Sequence, residues 1–337
     1  MNGNKFLDIA CNEAWKYQLL TYPNPAVGCV ITDQNDKIIT KDAHKRAGFA
    51  HAELEACKNV FEIVTKSIIN TQNSHEITHF LYKNHNNIFK NLNIYVTLEP
   101  CSHEGKTPSC AKLLNILGFK NVIIGQKDTN EIAKDGSKIL KEQNVIFNSH
   151  KNSYKLLYPF YKWQKDRFVF FKIALNKNHT YDTGLISNQK SRELVHSYRK
   201  LIDLLVIGGE SVRSDRPKLD TRLADGLNPP DILILSKRND FDNNIDLFNI
   251  PNRKVDISNK IFIPKDKKFV MIEGGYELFK ATKHLCDYLV VFQSNKIRDG
   301  KVFHIPKSST LLYQRGIEDD TIKLYSLYST QDVYQHS

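Results

Sequence analysis

Two α/β domains in tandem are predicted by three observations. Segments with strand-like and helix-like patterning alternate in two separate blocks of the chain. A Tyr- and Lys-rich helical stretch over 149–166 stands between the blocks. The length, 337 residues, is more than one ordinary domain uses and suits two. An apolar share of 41% and a charged share of 25% leave enough apolar surface for two cores.

The first block covers 1–148. Phe6, Ile9, Ala10, Ala14, Tyr17 and Leu20 recur at helical spacing and predict a helix over 5–20. Tyr22-Pro23-Asn24-Pro25 reads as a loop, followed by strands over 27–32 and 37–41 about an Asp-Gln-Asn-Asp turn. A helix is expected over 51–65. The polar, Asn- and His-rich stretch 71–87 lacks apolar periodicity and reads as an inserted loop. A strand over 93–97 precedes Leu98-Glu99-Pro100-Cys101, and a helix over 108–117 stops at Gly118. A strand over 121–125, a helix over 136–143 and a strand over 144–147 complete the block.

The second block covers 167–337. Strands are expected over 168–174, 204–207, 232–235, 268–272 and 288–292, with helices over 188–200 and 276–285. Two strands run into glycine pairs, at Gly208-Gly209 and Gly274-Gly275. Backbone can approach a phosphate closely at such places, although a tight turn explains them equally well.

The formal net charge is +11, but the basic residues are scattered and form no stripe with interleaved aromatics. That distribution argues against nucleic acid as the partner and suits small phosphorylated ligands. The N-terminus lacks a long apolar segment and no stretch is apolar enough to span a bilayer, so the chain reads as cytoplasmic, with no membrane partner. The six cysteines then read as reduced thiols able to hold metal.

The chemistry concentrates in His51-Ala52-Glu53 and in the run from Pro100-Cys101 to Cys110. One imidazole and two thiolates supply three ligands, and a zinc ion with three protein ligands keeps a corner for water. Zinc lowers the pKa of that water, and a carboxylate two residues from the histidine can move its proton. His-x-Glu with Pro-Cys is the pattern of zinc deaminases, in which the Glu is general acid/base and not a ligand. His51, Cys101 and Cys110 are therefore the expected ligands and Glu53 the expected catalytic residue. A structural site would need a fourth ligand, for which His103 is the near candidate, and would leave Glu53 without a role.

These residues resemble the bifunctional deaminase/reductase family of bacterial riboflavin biosynthesis. The match comprises Pro23-Asn24-Pro25-Ala26-Val27-Gly28-Cys29-Val30-Ile31, His44, Ala47-Gly48, His51-Ala52-Glu53, Tyr95 through His103, Gly105, Thr107-Pro108 and Cys110. Eight residues separate the cysteines here, whereas cytidine-type deaminases have two. The resemblance implies a cytidine-deaminase-like domain over 1–148, a linking helix over 149–166 and a dihydrofolate-reductase-like domain over 167–337. It implies zinc and NADPH as cofactors and a phosphorylated aminopyrimidine as substrate. Deamination of 2,5-diamino-6-ribosylamino-4(3H)-pyrimidinone 5′-phosphate would be followed by reduction of the ribosyl group to ribityl.

By the same resemblance, Asn24, His44, Lys106, Thr107, Asp128 and Asn130 would contact the pyrimidine and its ribose phosphate. Ala174, Ser211, Asp215, Ser236 and Gly275 would contact NADPH. Thr183, Arg199, Leu219, Arg222 and Glu273 would contact the second substrate, the two arginines being suited to its phosphate. Copies would associate through the reductase half. The second half departs from the family pattern at Leu175-Asn176-Lys177-Asn178-His179, at Leu185-Ile186-Ser187 and at Arg216. The alternative is a deaminase whose second domain serves only binding or oligomerisation.

Overall fold

The structure is a computed structural model and describes residues 3–105, 107–226 and 228–328. The chain divides into two compact units, Met1–Tyr161 and Lys162–Ser337. The division falls inside a helix, α5 (Lys151–Lys165), and not at either edge of the expected linking segment.

The first unit is built on five strands: β1 (Gly28–Thr32), β2 (Ile38–Ala43), β3 (Asn93–Val96), β4 (Asn121–Ile124) and β5 (Asn144–Phe147). Their order is β2-β1-β3-β4-β5. β1 runs antiparallel to both β2 and β3, while β3, β4 and β5 are parallel. Helix α1 (Gly3–Trp15) covers one face; α2 (Ala52–Thr65), α3 (Ser74–Asn84) and α4 (Cys110–Leu117) belong to the core on the other. Strand alternation divides the side chains between the two faces. Val30, Tyr95 and Ile123 meet Phe6, Leu7 and Ala10 of α1, whereas Cys29, Ile31, Ile94, Val96, Val122 and Ile124 join Val60, Leu113 and Leu117. Gly28 is needed for this packing, because a Cβ there would stand 1.9 Å from the Ala10 carbonyl oxygen. At the N-terminal ends of the parallel strands the asparagines form a ladder: Asn144 donates to Asn121 at 2.8 Å and Asn121 to Asn93 at 2.6 Å.

The expected inserted loop contains α3. Asn73 caps it by accepting from the amides of His75 and Glu76, and Ile77 and Leu81 carry it into the core. Two apolar residues one turn apart suffice for burial against α2 and α4, yet are too few to raise a periodic signal. The helix expected over 136–143 is a single 3-10 turn, Gly136–Ile139, and the first helix ends at Trp15 instead of residue 20.

The second unit is one eight-stranded sheet: β6 (Phe168–Leu175), β7 (Leu204–Gly208), β8 (Asp231–Leu235), β9 (Val255–Ser258), β10 (Phe269–Glu273), β11 (Tyr288–Ser294), β12 (Thr310–Ile317) and β13 (Asp320–Ser326). The order is β12-β13-β11-β6-β10-β7-β8-β9, parallel from β11 to β9 and closed on one side by the antiparallel β12–β13 hairpin. Except for the edge strand β9, the parallel strands are buried on both faces, which explains their apolar runs. Phe171 packs on Phe279 at 5.0 Å on one side and Phe170 on Tyr198 at 6.0 Å on the other. Helices α6 (Gln189–Leu201) and α8 (Tyr276–Thr282) follow the expectation; α7 (Gly209–Asp215), β9 and the hairpin are additional. Among the described residues no helix is long and apolar enough to cross a membrane.

Candidate metal centre and active site

His51 is the extended residue that caps α2. Cys101 follows β3 through Leu98-Glu99-Pro100, and Cys110 is the first residue of α4. Ser109 joins the two cysteine segments: its hydroxyl donates to the Cys101 carbonyl at 2.9 Å and accepts from the Lys112 amide at 3.3 Å. The ligand atoms of His51, Cys101 and Cys110 all lie within 4.8 Å of one another, and they form the metal-capable group of the described residues. His51 Nδ1 is 3.7 Å from Cys101 Sγ and 3.4 Å from Cys110 Sγ. A tetrahedral zinc with ordinary Zn–N and Zn–S bonds separates such atoms by about 3.6 Å.

The charges also suit a divalent cation. Hydrogen bonding from Cys110 holds the Cys101 thiol down to about 4 against its burial, and the His51 ring assists. The same contact, together with burial, pushes Cys110 up. Cys101 is thus favoured as the thiolate over Cys110, and a bound dication would favour ionisation of both sulfurs.

Glu53 is the second residue of α2, 4% exposed, and is not part of the ligand group. Burial pushes its carboxyl up to about 7, opposed by the charge of His51. A carboxyl in that range both accepts and returns a proton near neutrality.

Several expected binding residues gather here. His51 Nε2 lies 3.2 Å from Thr107 Oγ1, so Thr107 orients the ligand imidazole in addition to any contact with substrate. The His44 ring stands edge-on to His51 at 5.3 Å. Its Nδ1 donates to the Ala50 carbonyl at 3.1 Å and its Nε2 accepts from Asn24 Nδ2 at 3.2 Å. Burial, reinforced by His51, lowers His44 to about 4, so that ring is neutral at physiological pH. Asp128 and Asn130 form a turn in which Asp128 Oδ1 accepts the Asn130 amide at 2.8 Å. The turn is tied to the cysteine loop by the Ser102 amide, which donates to Ala133 O at 2.9 Å. Burial raises Asp128 to about 6. Lys106 lies outside the described residues. Glu99, which carried no expectation, accepts the amides of Asp128 and Ser137.

The second unit concentrates charge where its parallel strands end. Glu273 closes β10 beside Lys172 of β6. It accepts Lys172 Nζ at 2.8 Å and Arg199 Nη2 at 2.9 Å. Burial alone would raise this carboxyl; Lys172 and then Arg199 outweigh burial and hold it near 2. Arg199 is thus partly engaged by Glu273, and Lys172 is a site-type residue that sequence reading left without a role. Arg222 pairs with Asp220 at 2.5 Å, and Leu219 sits in left-handed backbone at φ 53°. Arg253 Nη1 donates to Lys218 O at 2.9 Å, Nε donates to Pro230 O at 3.1 Å, and Nη2 donates to Leu219 O.

Thr183 Oγ1 accepts from Asn176 Nδ2 at 2.8 Å. Ser211 and Asp215 lie on α7, and Ser236 packs against Gly209 at the start of that helix. Gly275 is covered by the Tyr181 ring, whose Cε2 would be 2.7 Å from a Cβ there. Ala174, Glu273, Gly208 and Leu235 lie at or beside the carboxyl ends of the neighbouring strands β6, β10, β7 and β8, the edge where open α/β sheets bind ligands.

Residues 1–126 match the family model for the cytidine and deoxycytidylate deaminase zinc-binding region. The riboflavin biosynthesis protein RibD of Bacillus amyloliquefaciens is 28% identical over 244 residues, which cover 69% of this chain and 59% of that protein. The RibD of Corynebacterium ammoniagenes is 26% identical over 312 residues, 86% of this chain and 84% of that protein. A Thermotoga maritima diaminohydroxyphosphoribosylaminopyrimidine deaminase/5-amino-6-(5-phosphoribosylamino)uracil reductase has a similar structure, with TM-score 0.60 and 23% identity, over 96% of this chain and 98% of that one. RibD of Acinetobacter baumannii gives TM-score 0.61 at 21% identity over 96% and 98%. The fold is therefore the expected two-domain α/β one, shared with those structures over 96% of the chain, with a deaminase zinc-binding region in its first part. In sequence, zinc-binding region and two-domain fold, the chain is similar to the RibD proteins.

Proposed function

We propose that the chain is a bifunctional enzyme of riboflavin biosynthesis, with a deaminase over 1–148, a linking helix over 149–166 and a reductase over 167–337. The observation that carries this reading is the placement of Glu53, a buried carboxyl near 7, two residues beyond the cap His51 of the three-ligand group that would hold zinc. The substrate is 2,5-diamino-6-ribosylamino-4(3H)-pyrimidinone 5′-phosphate, whose exocyclic amine is exchanged for oxygen.

His51, Cys101 and Cys110 would hold a zinc ion, which when bound would supply a water of lowered pKa. Glu53 is placed to hold and return a proton near neutrality, and would take one from the attacking water and give it to the departing amine, which would leave as ammonia. Thr107 holds the His51 ring in the tautomer that presents Nδ1 to the sulfurs. Neutral His44 and Asn24, linked to each other, line the pyrimidine side, and Asp128 and Asn130 approach from the turn beside the cysteine loop. Lys106 and Thr107 serve the ribose phosphate.

In the second unit NADPH would supply the hydride that, together with a proton from solvent, would convert ribosyl to ribityl. Ala174, Ser211, Asp215, Ser236 and Gly275 hold the cofactor along the strand ends. Glu273, Arg199, Arg222, Thr183 and Leu219 hold the substrate, with Lys172 fixing Glu273. The Lys172–Glu273–Arg199 constellation favours a working reductase over a domain kept for binding alone. The protein acts in the cytoplasm, and copies associate through the reductase half. Paired assays of ammonia release and NADPH oxidation test the reading. Ammonia release without NADPH consumption would leave a deaminase alone, and neither signal would refute both halves.

A further inference from the structure

Glu99 is a buried carboxylate, 5% exposed, between the end of β3 and the ligand Cys101. Both of its oxygens face one segment. Oε2 accepts the Asp128 amide at 3.2 Å and Oε1 accepts the Ser137 amide at 3.0 Å. Its own amide donates to the Gln126 carbonyl at 2.8 Å. Among the described residues it makes no ion pair, so backbone N–H groups alone answer its charge. Such charge-assisted bonds are stronger and shorter than neutral ones and fix geometry.

The segment so held, 126–137, is pressed onto the ligand loop by two further contacts. Ala133 O receives the Ser102 amide at 2.9 Å. Gly136 lies so close to Pro100 that a Cβ would be 1.8 Å from the Pro100 carbonyl oxygen. Ligand loop and segment therefore meet as backbone on backbone, with Glu99 as the side chain that bridges them. Asp128 and Asn130 ride on that segment.

We infer that Glu99 is a positioning residue for the deaminase: by gripping the amides of Asp128 and Ser137 it sets the distance between the metal-ligand loop and the residues that bind the pyrimidine. The inference rests on the deaminase reading above. It assigns Glu99 to neither metal binding nor proton transfer, so its loss should act on substrate affinity. A glutamine in its place keeps one acceptor oxygen but presents an NH2 to the second amide, leaving two donors face to face.

The test uses the full chain as Glu99→Gln and Glu99→Asp. Zinc per chain, KM and kcat for ammonia release from the pyrimidinone phosphate, and amide exchange of 126–137 by mass spectrometry are measured for each. Glu99→Gln should keep its zinc, raise KM about tenfold with kcat within about threefold of the parent, and speed exchange in 126–137. Glu99→Asp, which keeps the charge on a shorter arm, should fall between. Loss of zinc, a fall in kcat at unchanged KM, or unaltered exchange would each overturn the assignment. If the parent chain releases no ammonia, the deaminase reading fails on its own, and the exchange comparison still decides whether Glu99 holds the segment.

Discussion

Thr107 and His51 are joined through Oγ1 and Nε2 at 3.2 Å, while the Nδ1 of the same ring faces both ligand sulfurs. Thr107 is the sixth residue of the long cysteine spacer, so the spacer itself supplies a partner that orients the imidazole. Partners of this kind typically contribute about 10- to 100-fold to metal affinity. Thr107→Val, similar in shape but without the hydroxyl, should weaken zinc binding within that range while the fold persists. Competition with a chromogenic chelator measures it, and unchanged affinity would remove Thr107 from the metal centre.

Glu53→Gln should retain zinc and lower the rate of ammonia release by about 10²- to 10⁴-fold, the usual contribution of a positioned acid/base. Metal analysis beside the rate separates the roles. Loss of zinc would make Glu53 a ligand or a support of one.

The charge cluster of the second unit should show as a pH-dependent stability. Glu273 is held near 2, below its ordinary 4.5, so its contribution is present above about pH 4.5 and is lost as pH falls from there toward 2. The full contribution is about 3 kcal/mol. Denaturation midpoints between pH 3 and pH 7 should fall more steeply on acidification for the parent than for Glu273→Gln. Parallel profiles would mean that the pairing with Lys172 and Arg199 does not stabilise the unit.

Arg253 closes the loop that carries Leu219, Asp220 and Arg222 by donating to the carbonyls of Lys218, Leu219 and Pro230. Arg253→Ala leaves those carbonyls without their guanidinium and Leu219 in an unsupported left-handed conformation. NADPH-dependent reduction should show a KM for substrate raised about tenfold, with ammonia release unchanged. A reductase KM equal to the parent's would dissociate this loop from the substrate.

What the sequence revealed and concealed follows from how far apart the cooperating residues lie. His51 and Glu53 are two positions apart, and Cys101 and Cys110 flank one loop, so their chemistry was legible as local pattern. The apolar runs of β6, β7, β10 and β11 were legible because both faces of those strands are buried. Glu99, Lys172 and Arg253 look like ordinary charged residues. Their partners lie 29 or 38, 101, and 23 to 35 positions away, and nothing in the local pattern marks them. The hairpin β12–β13 was missed although Asp320, Ile322, Leu324 and Ser326 are buried alternately, because half of those inward positions are polar. Arg199 was expected to contact the substrate phosphate; its contact with Glu273, 74 positions distant, was not legible in the sequence.

The central claim is a zinc ion held by His51, Cys101 and Cys110 that is required for deamination. Its most direct test is ammonia release by the purified chain before chelation, after removal of metal, and after titration with zinc. The account predicts that activity is lost with the metal and returns in proportion to zinc, saturating at one ion per chain. A metal-free chain that still releases ammonia from the pyrimidinone phosphate at the original rate would contradict it.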